Sequence, residues 1–148
     1  MPNTKEHLQQ AKHNQETIDF LLTDIDRFAD WITAIAFYTA LHLVEAVFFI
    51  DPKINHGLDH IQRREVLRTT KKYEKIYDHY RPLWNASLMA RYLSDSQSST
   101  TGRIFNDCYS SQIVNDIMLN HHLAQIEKSV TRFLSPPAPS KKKTKKKQ

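Results

Sequence analysis

From Trp31 to Ile50 the chain runs twenty residues without a Lys, Arg, Gly or Pro. Wound as a helix, such a segment is about 30 Å long, enough to cross a bilayer or to run through the middle of a helical bundle. Its polar content decides between the two. Thr33, Thr39, His42 and Glu45 lie inside it, and Asp30 and Asp51 flank it where a membrane span would carry an orienting basic residue. The segment therefore reads as the central helix of a bundle, and no membrane partner is expected.

The rest of the chain supports a helical class. Gly57 and Gly102 are the two glycines in 148 residues, too few for a turn-rich β fold. The length suits one domain with a real core. Cys108 is the sole cysteine, so no internal disulfide can form. With the polar start over 1–12, which predicts no signal peptide, this points to a cytoplasmic protein. The formal charge of +5 belongs to a tail: six lysines fall in the last eight residues, and without them 15 basic residues face 16 acidic ones.

Local signals divide the chain into four or five antiparallel helices. Asn3 with Glu6 reads as a capping box, and Leu8, Ala11, Ile18 and Leu22 form an apolar stripe behind it. A second helix begins at Asp26 or Asp30 and ends at Ile50, before Asp51-Pro52. A third starts near Asp59. A fourth runs through "YEKIYDHYRPLWNASLMARY", kinked or split by Pro82. "SDSQSSTTG" (94–102) is a polar loop. The last helix spans 103–134, with Phe105, Cys108, Ile113, Ile117, Leu123, Ile126, Val130 and Phe133 as its stripe. The expected organisation is thus an all-α antiparallel bundle over residues 3–134. A disordered Pro/Lys-rich tail follows over 135–148, where prolines forbid regular structure and like charges repel.

At 100° per residue, Tyr38, His42 and Glu45 fall in one sector of the second helix, with Trp31 and Phe49 on the same line. The other positions are mostly apolar, so this helix should be covered nearly all round. Two readings of the polar line stand. It is either a satisfied buried network, with Glu45 on an Arg and His42 on a backbone carbonyl, or a pocket with chemistry in it.

Four segments in this order, "HLQQAKHN" (7–14), "ADWITAIAFYTALHLVEAVFF" (29–49), "HGLDHIQRR" (56–64) and "SLMARY" (87–92), resemble the HEPN superfamily (higher eukaryotes and prokaryotes nucleotide-binding domains). The branch they resemble is one of small stand-alone prokaryotic proteins. The resemblance covers roughly 4–134. It implies an α-bundle that often dimerises, RNA or nucleotide binding, and a setting in prokaryotic defence, stress response or toxin–antitoxin pairs. Many relatives are metal-independent ribonucleases with an Arg, four to six residues, then a His. No Arg here has a His at that distance. The expected function is therefore RNA or nucleotide binding without the standard ribonuclease motif. The alternatives are an endoribonuclease with an atypical His/Arg site, and a non-catalytic subunit of a defence complex with a protein partner.

For the atypical site, metal-free RNA cleavage needs a base for the 2′-hydroxyl and a cation for the phosphorane. His42 or His60 would be the base and Arg63 or Arg91 the cation, with Glu45 beside them. Arg91 is the expected partner of Glu45, because its fork suits a carboxylate. His60, Arg64 and Arg68 share a helix face, and Arg63, Lys71, Lys72, Lys75 and Arg81 extend the charge. This concentration could neutralise phosphates, or be a solvated face with Asp59 on Arg63 at i, i+4. Tyr38 and Tyr92 complete the binding set. No cofactor is expected, and no metal, since His56 and His60 have no evident third ligand. His121 and His122 are adjacent and should point to different helix faces at the surface.

Overall fold

A computed structural model describes residues 1–55, 57–93 and 104–137. Its described residues contain helices and no strand: the chain is an all-α antiparallel bundle. Helix α1 (Thr4–Leu21) opens on the capping box, with Asn3 Oδ1 accepting from the Glu6 backbone N–H at 3.0 Å and Glu6 Oε2 accepting from the Asn3 N–H at 2.7 Å. One 3₁₀ turn, Leu22–Asp24, reverses the chain into α2 (Ile25–Ile50), so neither Asp26 nor Asp30 is the cap. Helix α3 (His60–Thr69) is capped by Asp59, which exchanges side-chain and backbone bonds with Gln62.

A second 3₁₀ turn, Lys71–Tyr73, leads into α4 (Glu74–Tyr92). Pro82 lies inside α4 without splitting it. The helix stops at Leu93, which takes a left-handed φ of 52°. A side chain there costs about 1–2 kcal/mol, and the bend leaves Arg91 and Tyr92 at the end of the rod.

The chain after the loop departs from a single helix over 103–134. Phe105–Cys108 forms a separate turn; Ser110 then caps a helix that is α over Ser111–Ile113, π over Val114–Leu123 and α again over Ala124–Leu134. The π winding (i→i+5) shifts the apolar phase. Ile117, expected to face inward, is 43% exposed, while Met118 and Leu119 take the inward places. Arg103, His56, the loop over 94–102 and the tail from 138 lie outside the described residues, and with them the expectations made for those segments.

Helix α2 is the axis of the bundle, packed on α1, α4 and the C-terminal helix. Ile32, Ala36, Phe37, Ala40, Val44 and Phe48 are buried against Ile18, Tyr73, Ile76, Tyr80, Leu83 and Ile126. Each large side chain so enclosed contributes about 1.5–3 kcal/mol. The window that is long and apolar enough to cross a membrane is 72% buried against the rest of the protein. Trp31, Tyr38 and Phe49, on one line of α2, are nevertheless exposed, as is Ile50 beside them, contrary to the expectation of cover all round.

Candidate functional site

The polar line of α2 runs along this exposed edge, and each of its members meets a different helix. Glu45 is buried and pairs with Arg63, whose Nε donates to Oε1 at 2.5 Å. Arg63 also donates to the Leu58 carbonyl at 2.8 Å and approaches His60 Nδ1 at 3.4 Å. The expected Glu45–Arg91 pair is not formed. Glu45 sits two turns along α2 from Tyr38, and it is Tyr38 that Arg91 reaches, donating to its hydroxyl at 3.1 Å. Arg91 also donates to Ser87 Oγ at 3.2 Å. Asp59 caps α3 at Gln62, and Arg63 pairs with Glu45 rather than with Asp59 as the solvated-face alternative had it. Tyr80 lies beside this pair, its hydroxyl buried and close to Arg63 but short of hydrogen-bond geometry. Burial pushes the Tyr80 hydroxyl up to about 12.

His42 meets α1 rather than a backbone carbonyl: its Nδ1 is 3.0 Å from His7 Nδ1. The two rings open on a groove of about 510 Å³ with Met1, Pro2, Glu6 and Gln10. Burial, then His7 and Arg63, hold His42 below the usual histidine range, so the ring is neutral at pH 7. His60 is lowered by burial and by Arg63.

Around His60 the side chains form an aromatic and cationic strip. Its ring lies 5.4 Å from Trp84, 5.7 Å from Phe37 and 6.4 Å from Tyr38. Arg64 covers Trp84 at 5.6 Å; Arg91 covers Phe37, Tyr38 and Tyr92 at 5.4, 5.5 and 5.0 Å. The structure thus gathers Tyr38, His60, Arg64, Arg91 and Tyr92 from the expected set, and keeps His42, Glu45 and Arg63 as an adjoining, more enclosed group.

The basic concentration on α3 and the start of α4 is partly neutralised. Arg63 is spent on Glu45, Arg68 pairs with Glu65 at 2.6 Å, and Lys72 pairs with Asp51 at 2.6 Å. Lys71, Lys75 and Arg81 remain exposed, and Lys75 lines a small groove with Lys72 and Arg132. Asp51 was legible in sequence only as a helix stop. It is buried, accepts from the Tyr73 hydroxyl at 2.6 Å and from the Lys53 N–H at 3.0 Å. The Lys72 ammonium first, then Tyr73, hold its carboxyl down at about 2.

Sequence reasoning also missed His79. It lies on α4 with its Nδ1 3.0 Å from His122 Nδ1, and its ring centroid 5.1 Å from that of His121. The two C-terminal histidines, expected to part at the surface, converge on it because π winding turns the chain less per residue than α winding does. Burial and the neighbouring rings hold His122 down at about 4.

No protein-family model matches this chain, and neither the curated proteins nor the solved structures searched contain a match.

Proposed function

We propose that the chain is a HEPN-like protein that binds single-stranded RNA or a nucleotide through the strip of Tyr38, His60, Arg64, Arg91 and Tyr92, with buried Trp84 as the floor under His60 and Arg64. The observation that carries this reading is the alternation of guanidinium groups and aromatic rings on one partly exposed surface. Bases stack on aromatic side chains for about 1–3 kcal/mol each, whatever the sequence, while Arg faces the phosphates. Sequence resemblance and the α-bundle support the same reading, as does the missing Arg-x4–6-His motif for its non-catalytic form. Exposed Trp31 and Phe49 on one line of α2 support a homodimer. The proposed setting is prokaryotic defence, stress response or a toxin–antitoxin pair.

A second reading has one specific observation in its favour. His42, neutral at pH 7 and open to a groove beside His7, is suited to be the base of a metal-independent endoribonuclease. Arg63 is a poor cation for it, being committed to Glu45; Arg91, in the strip, is the better candidate.

Fluorescence anisotropy with a short labelled RNA, in EDTA, tests both. Binding is expected to weaken by about tenfold in Tyr92→Ala and in Arg91→Ala, with a shallower salt dependence in the second. Unchanged affinity in both variants would refute the strip. RNA cleavage that disappears in His42→Ala would replace the binding reading with the enzymatic one.

A further inference from the structure

On α4 His79 stands five residues before Trp84, about 140° around the helix from it, so it faces away from the RNA strip and toward the C-terminal helix. There it meets His121 and His122. One ring nitrogen from each lies within 4.8 Å of the other two, and the closest pair is 3.0 Å apart. The ring centroids are separated by 4.9–5.3 Å. A hydrogen bond between two neutral imidazoles accounts for His79 and His122 but gives no role to the third ring.

We propose that His79, His121 and His122 form a three-histidine site for a divalent transition-metal ion of the zinc class, tying α4 to the C-terminal helix. Imidazole nitrogens bind such an ion at about 2.0–2.1 Å in a tetrahedron, which places them roughly 3.3 Å apart. The closest pair already stands near that separation, and the longest reach needs closing by about 1.5 Å, a change within side-chain rotation. His79 and His122 are half-buried and fix two positions, while His121 is exposed. The fourth position therefore faces water, which makes this an open site rather than a closed structural one. The backbone supplies a second observation. His121 and His122 sit in the ten-residue π segment Val114–Leu123, and π winding is rare and frequently falls at functional sites. It brings two adjacent residues to one ligand when α winding would have held them farther apart.

The test is a calorimetric titration of the full chain, free of any histidine tag, with Zn²⁺. One zinc per chain, reversed by EDTA, is expected. Co²⁺ should give the intense visible absorption of a tetrahedral site. His121→Ala removes an exposed ligand without endangering the fold and should weaken zinc binding by at least tenfold, as should His122→Ala. His13→Ala, on the exposed side of α1, should leave it unchanged. Absence of saturable binding would overturn the proposal. So would affinity unchanged in both His121→Ala and His122→Ala, or lost instead in His42→Ala. RNA binding and zinc binding are read separately, so failure of one leaves the other standing.

Discussion

Two histidine pairs hold helices of this bundle together, and their shortest contacts are the same. His7 and His42 join α1 to α2 with Nδ1 atoms 3.0 Å apart; His79 and His122 join α4 to the C-terminal helix at the same distance. Their surroundings differ. Beside His42 stands the ion pair of Arg63 and Glu45, and the guanidinium outweighs the carboxylate in lowering the ring's affinity for a proton. Beside His79 and His122 the nearest third group is another imidazole, and the carboxylate of Asp78 acts on His79 alone. A contact distance therefore does not tell what a histidine pair is for. The groups within reach of it do: an ion pair stands beside the first pair, and a third imidazole beside the second, where the cation site is proposed.

The largest expected effect comes from the ion pair that sets the first environment. Glu45 and Arg63 are both buried, so removing one partner strands a charge. Glu45→Gln should cost about 3–5 kcal/mol in urea unfolding, and Arg63→Met a similar amount. The double variant should be no worse than the poorer single one, because it removes both charges. A loss below about 1 kcal/mol in Glu45→Gln would mean that water reaches the pair, and that the contrast in electrostatics between the two histidine sites is small.

How far this could be read from sequence depends on whether a feature is local. The Asn3–Glu6 box and the start of α3 near Asp59 involve residues three apart, and spacing reveals them. The apolar length of 31–50 identifies the axis helix for the same reason. The wheel put Tyr38, His42 and Glu45 on one line, but a wheel gives the direction of a side chain and not the helix that covers it. Glu45 therefore received the wrong arginine. The partner depends on where α3, packed on α4, brings Arg63. His121 and His122 were misplaced by a different step: α periodicity was applied to a segment that is wound as π, and no residue pattern there announces the change. Asp51 read as a helix stop and turned out to be the buried anchor of Tyr73 and Lys72.

The pH dependence of stability separates the pairs with a smaller effect. Unfolded histidines titrate near 6.5. Burial first, then neighbouring cations or rings, lowers His42, His60, His79 and His122 in the fold. Below pH about 6.5 the unfolded chain thus binds more protons than the folded one. The stability is present in full above that pH and is lost as the pH falls through the folded values, reaching about 4 at His122. Between pH 7.5 and 5, unfolding in urea should lose about 1–2 kcal/mol through His122 after allowance for partial exposure. Much of that loss should vanish in His122→Ala. A pH dependence that disappears in His42→Ala and survives in His122→Ala would reverse the ranking of the two pairs.

The smallest effect is also the sharpest probe of environment against ligand count. Gln10 follows His7 by one helical turn and lines the same groove as His7 and His42. Gln10→His would give the first pair a third imidazole at i, i+3, matching the second site in number of ligands while leaving Arg63 in place. If number alone decided cation binding, the new site should hold Zn²⁺ as tightly as His79, His121 and His122 do. The guanidinium beside His42 repels a divalent ion, so the expected affinity is weaker by about tenfold or more, equivalent to roughly 1.4 kcal/mol. The measurement is a zinc titration of Gln10→His in a His121→Ala background, where the native site is already impaired. Zinc binding there as tight as in the unmodified chain would show that the Arg63 field is unimportant. The two histidine pairs would then differ only in how many rings surround them.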